Sequence, residues 1–77
     1  MPRLPSITSR TVIAFLRASG FIEDHATGSH FVFLNPASKR RAVVPRHPKD
    51  LPRGTLFAIL REAGFRREDL LKFLKRK

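Results

Sequence analysis

The chain has 77 residues, 16 of them Lys or Arg against six Asp or Glu, for a formal charge of +10 at neutral pH. A domain of this size buries only about 60% of the surface its unfolded chain exposes, which leaves room for one core and excludes an internal catalytic cleft. The absence of cysteine excludes a disulfide framework, a thiolate metal site and a cysteine nucleophile, and makes the cytoplasm the expected compartment.

The opening Met1-Pro2-Arg3-Leu4-Pro5 contains no apolar signal core. The longest apolar runs, Val12 to Leu16 and Phe31 to Leu34, fall far short of the ~20 residues that cross a bilayer, so no membrane role is expected. The first predicted element is a helix over Arg10 to Ser19, where Val12, Ile13 and Leu16, with Phe15 beside them, recur as one buried stripe. Thr8 or Ser9 can cap its amino end, and Gly20 stands where a left-handed carboxyl-terminal residue is wanted.

Three short strands joined by turns follow. One begins at Phe21 and runs to His25; the second, His30 to Leu34, comes after the turn Ala26-Thr27-Gly28-Ser29; the third, Arg41 to Pro45, comes after Asn35-Pro36-Ala37-Ser38-Lys39. Alternation places Phe31 and Phe33 on one face of the second strand and His30, Val32 and Leu34 on the other, with the phenylalanines expected to face the helices. Helical spacing returns at Leu56, Ile59, Leu60 and Ala63, with Pro52 near the start and Gly64 just past the end. A short third helix carries Leu70, Leu71, Phe73 and Leu74, and the tail Lys75-Arg76-Lys77 is expected to fray. This order predicts a single α+β domain over residues 1–77, with helices on one face of a three-stranded antiparallel sheet and the other face and rim left to a partner.

The charge draws in polyanions, nucleic acid first among them. Its centre is the stretch 35–53, which holds Lys39, Arg40, Arg41, Arg46, Lys49 and Arg53 against Asp50 alone. Gly28-Ser29-His30 lies just ahead of the second strand. A Gly-Ser pair permits a tight turn and close backbone approach, and a histidine is the side chain that most readily exchanges protons near neutral pH.

Together these features suggest work on a phosphodiester. RNA can be cleaved without a metal if a base takes the proton of the ribose 2′-OH, the freed oxygen attacks phosphorus, a cation stabilises the phosphorane and an acid protonates the departing 5′-oxygen. His30 suits the role of base. The acid is open among His47, a Lys or Arg between Lys39 and Arg46, and water. His25 stands before the turn as a phosphate contact or a solvated residue. The three histidines lack the close spacing and companion ligands of a metal site, so neither a metal nor another cofactor is expected.

Several pieces of the chain are shared with a known family. They are Ser9-Arg10-Thr11-Val12-Ile13-Ala14-Phe15-Leu16, Gly20-Phe21, Gly28-Ser29-His30, Arg41-Ala42-Val43-Val44-Pro45 with His47, and Leu51-Pro52-Arg53-Gly54-Thr55-Leu56, followed by Ile59-Leu60 and Ala63-Gly64-Phe65. In order and spacing they resemble the HicA toxin family, over nearly the whole chain. The resemblance implies a fold like the double-stranded RNA-binding domain, with a helix, three strands and a helix in that order. It also implies a ribosome-independent mRNA endonuclease, or mRNA interferase, held inactive by a HicB-type antitoxin. The catalytic residue it implies is the histidine of Gly-Ser-His, His30. Expected RNA contacts are Gly28, Ser29, Lys39, Arg40, Arg41, Arg46 and His47. The chain departs from the family in carrying His25-Ala26-Thr27 where members often have Arg or Lys, and in following Phe65 with Arg66-Arg67 instead of a small polar cap.

Two other functions fit the same charge. A noncatalytic double-stranded RNA binder would be indifferent to the loss of His30. A small DNA-binding module would present Leu56 to Ala63 as a recognition helix, which offers few base-reading side chains beyond Arg61.

Overall fold

A computed structural model of the chain describes residues 5–47 and 49–75. Met1 to Leu4, Pro48 and the end of the basic tail, Arg76 and Lys77, lie outside the described residues. The elements in order are helix α1 (Ser9–Ala18), strands β1 (Ile22–Ala26), β2 (His30–Asn35) and β3 (Arg40–Pro45), and helices α2 (Arg53–Ala63) and α3 (Arg67–Lys75). The strands form an antiparallel sheet in the order β1-β2-β3. This is the α+β arrangement that the sequence pattern predicts.

Local chemistry sets the helix ends. The Thr8 hydroxyl caps α1 by accepting the Thr11 N–H at 3.2 Å. Ser9 is the first helical residue instead, and its hydroxyl donates to the Pro45 carbonyl at 2.8 Å, which fastens the start of α1 to the end of β3. Helix α2 begins three residues before its apolar stripe because Pro52, at φ −57°, takes the cap position and directs the chain into the first turn. Helix α3 has no small polar cap. In its place the Asp69 carboxylate reaches back to accept the Arg66 N–H at 2.8 Å, one half of a capping box.

The helices bury their stripes on one sheet face. Val12, Phe15 and Leu16 of α1 and Leu56, Ile59 and Leu60 of α2 meet Phe33, Ala42 and Val44 of the sheet in one core, with Phe31 packed at its margin. The phenylalanines of β2 therefore face the helices, as alternation predicts. Phe73 of α3 and Phe65, in the link before α3, set their rings edge-on to Phe15 of α1, at centroid distances of 5.5 and 4.9 Å.

Helix α2 also closes the outer edge of β3. The Glu62 carboxylate accepts the Val43 N–H at 3.2 Å, and the Arg40 guanidinium donates to the Glu62 carbonyl at 3.4 Å. Arg40 lies so close over Gly64, the left-handed cap at φ 88°, that a Cβ on Gly64 would stand 2.7 Å from Arg40 Nε. A cation at this place also meets the negative end of the helix dipole.

Candidate active site

The turn before β2 is organised by Thr27. Its N–H donates to the His30 carbonyl at 2.8 Å, while its hydroxyl oxygen accepts the His30 N–H at 2.9 Å and the Ser29 N–H at 3.3 Å. A threonine hydroxyl thus holds a two-residue turn in which neither Gly28 nor Ser29 has positive φ. Apart from Gly28 and its two chain neighbours, no heavy atom of the described residues lies within 4 Å of the point where a Cβ on Gly28 would stand. The missing side chain leaves the backbone open to approach from outside.

His30 is the first residue of β2, exposed and paired across the sheet with Pro45. Its Nδ1 lies 3.0 Å from Ser29 Oγ, and Nε2 has no hydrogen-bond partner among the described residues. The Arg46 N–H donates to the Ser29 carbonyl at 2.8 Å, extending the β2–β3 ladder one step beyond His30. With Ser9 bound to Pro45 beside it, this corner of the sheet is tied on both strands.

The face that His30 shares with Val32 and Leu34 is turned away from the main core, although Val32 itself is buried and Leu34 half-buried. Helix α2, lying along the edge of β3, makes a wall there. Between them is an open groove of about 590 Å³, with His30, Val43 and Pro45 on the sheet side and Thr55, Ala58 and Arg61 on the helix side. Arg61 is exposed, and the ion pairs found among the described residues, Arg17–Glu23 and His25–Asp24, do not involve it. The Glu62 carboxylate beside it in sequence is engaged by the Val43 N–H.

The fold divides the expected site residues into two groups. Gly28, Ser29, His30, Arg46 and His47 gather at one end of the sheet. Lys39, Arg40 and Arg41 lie at the other, because the register that pairs His30 with Pro45 pairs Asn35 with Arg40. Five residue steps along β2, from His30 to Asn35, separate the two ends, roughly 16 Å at ~3.3 Å per step. The Arg40 side chain is docked on α2, whereas Lys39, in the turn at φ 64°, and Arg41, on the same face as His30, are exposed.

The near group is divided again by face. The Arg46 guanidinium lies 4.5 Å over the ring of Phe31, which points to the side opposite its neighbour His30. His47 borders the same small depression as Phe31, Arg46 and Ser9, with Nδ1 3.0 Å from the Lys49 carbonyl. The cation that shares the groove with His30 is Arg61. His25 is engaged by Asp24, at 2.7 Å between Nδ1 and Oδ2. Among the described residues, no three His, Cys, Asp or Glu side chains gather in a way that could hold a metal ion, and no helix is long and apolar enough to cross a membrane.

The family model described as HicA toxin of bacterial toxin-antitoxin matches residues 9–65, from the first residue of α1 to the one after the Gly64 cap. No curated protein matches the chain.

Proposed function

Because the chain belongs to the HicA toxin family of bacterial toxin–antitoxin systems, we propose that it is a metal-independent endoribonuclease that cleaves mRNA in the cytoplasm, with His30 as its catalytic acid or base. The toxin has an antitoxin partner, as the family requires, and the proposed partner is of the HicB type. Residues 1–77 act as one toxin domain. The observation that carries the reading is the exposed imidazole on a tied corner of the sheet, with Nδ1 beside the Ser29 hydroxyl and the ring lining a groove on a strongly basic protein.

In the tautomer whose Nδ1–H donates to Ser29 Oγ, Nε2 carries the lone pair that removes the 2′-OH proton. The 2′-oxygen then attacks the adjacent phosphorus, the bond to the 5′-oxygen breaks, and that oxygen leaves with the electron pair and takes up a proton. The products are a 2′,3′-cyclic phosphate and a 5′-hydroxyl. Covering the groove with an acidic antitoxin surface would occlude His30, and the charge of the toxin would speed the encounter.

The test is incubation of the protein with unstructured RNA, duplex RNA and single-stranded DNA in the presence of a chelator. RNA is expected to be cut to cyclic-phosphate ends while DNA, lacking the 2′-OH, is left whole. Binding of RNA with no cleavage would instead identify a noncatalytic RNA binder. Adding the antitoxin is expected to stop the reaction; a tight complex that still cleaved at full rate would show that the groove is not what it covers.

The far cations contribute by another route. Lys39→Glu with Arg41→Glu is expected to weaken RNA binding and to lower the log–log salt slope by roughly 0.7 for each phosphate of a single strand that is no longer neutralised. Because the turn is far from His30, the rate at saturating RNA should change less than the affinity. Arg40 is left in place, since its guanidinium holds the end of α2. An unchanged slope across a salt series would make this turn a solubilising surface only.

A further inference from the structure

We infer that Arg61 is the cation of the His30 site, binding the scissile phosphate across the groove from the imidazole and stabilising the charge that builds on it during cleavage. This rests on the ribonuclease reading and adds to it a residue from a different element, twenty-six positions beyond the end of β2.

Three observations converge. His30 and Arg61 line opposite walls of one groove. Beside Arg61 the helix wall carries Thr55, Ala58, Ile59 and Glu62, and the short Thr55 and Ala58 leave room between imidazole and guanidinium for a ribose and its phosphate. Glu62 lines the same groove but has one carboxylate oxygen engaged by the Val43 N–H at the edge of β3, and Arg61 forms no ion pair with it or with any other described residue. By contrast, Arg46 is stacked on Phe31 on the other face, and Arg40 is spent on a carbonyl of α2.

In the cleavage step Arg61 stays protonated. The 2′-OH gives up its proton to base, the 2′-oxygen–phosphorus bond forms, and the bond from phosphorus to the 5′-oxygen breaks with protonation of that oxygen, so charge and protons balance without Arg61 transferring either. Its planar fork suits two nonbridging phosphate oxygens, which lysine, a point charge, serves less well.

A simpler role also exists for a cation in the last turn of α2, which meets the negative end of the helix dipole. Lys72 holds the same kind of position in α3, away from the groove. The experiment therefore compares wild type, Arg61→Ala, Arg61→Lys, Lys72→Ala and His30→Ala in cleavage of one unstructured RNA. Binding of the 2′-O-methylated version, which has no nucleophile, is followed across a salt series, and all five proteins are melted.

Arg61→Ala is expected to cleave about 10²–10³-fold more slowly at an unchanged melting temperature and to bind with a salt slope smaller by roughly 0.7. Arg61→Lys should recover part of the rate, and Lys72→Ala should match wild type. Wild-type cleavage by Arg61→Ala, an equal loss in Lys72→Ala, or a loss in Arg61→Ala that Arg61→Lys fully restores through a recovered melting temperature would overturn the assignment while leaving the ribonuclease reading in place. Full activity in His30→Ala, or none in wild type, would overturn that reading, and the role of Arg61 with it.

Discussion

His30→Ala is expected to lower RNA cleavage by about 10²–10⁴-fold, the contribution of a positioned general acid or base, while leaving the fold as it is. The imidazole is exposed at the start of β2, and its side-chain partner is the neighbouring Ser29 hydroxyl, itself exposed, so its removal opens no cavity and strands no buried polar group. The Thr27 bonds that shape the turn run to the backbone of His30 and persist in the variant. Cleavage should therefore be lost at a nearly constant melting temperature, with antitoxin binding retained. An active variant would remove His30 from the chemistry. A variant that melts well below wild type would mean that the ring supports the turn in a way these hydrogen bonds do not explain.

Phe33→Ala is expected to do the reverse. Phe33 is three residues along the same strand but on the other face, with 0% of its surface exposed and the Arg17 guanidinium 5.5 Å from its ring centroid. Truncating a buried phenylalanine costs about 3–5 kcal/mol, against a total stability of about 4–12 kcal/mol for a chain of this length at 0.05–0.15 kcal/mol per residue. Denaturant titration should show a midpoint far below wild type. Activity should fall only in proportion to the unfolded fraction, so adding RNA or antitoxin, which bind the folded form, should restore part of it. A midpoint within experimental scatter of wild type would mean that the β2 register is wrong by one residue and that Phe33 lies on the open face.

This contrast marks how much of the molecule can be read from residues alone. Alternation along β2 separates His30 from Phe31 and Phe33 without a structure, and the stripes at Val12, Phe15, Leu16 and at Leu56, Ile59, Leu60 announce two core helices. The corner around His30 is legible for the same reason: Gly28-Ser29 and Pro45-Arg46-His47 are ends of elements, and ends of paired strands meet. Three things needed the fold. Hairpin register sends Lys39 to Arg41 to the far end, although they are near His30 in sequence. The stacking of Arg46 on Phe31 turns it to the opposite face, which net charge does not reveal. Arg61 sits on the polar face of an amphipathic helix like any solvated arginine, and comes to line a groove with His30 only because α2 runs along the edge of β3. The missing polar cap of α3 is likewise supplied three residues downstream, by Asp69.

The bond between Glu62 and the Val43 N–H also bears on how many molecules travel together. A three-stranded sheet has two outer strands that could recruit a strand from another copy, and here the chain obstructs both. One is plugged by its own glutamate. The other, β1, has its pairing interrupted between Glu23 and His25, where Glu23 and Asp24 project acidic side chains. Kinks and charge on an outer strand discourage ribbon growth, and like charges of +10 keep copies apart at a distance. Neither outer strand therefore offers another copy an unobstructed ladder, so an antitoxin surface would have to cover the corner around His30 one molecule at a time if that corner is the site.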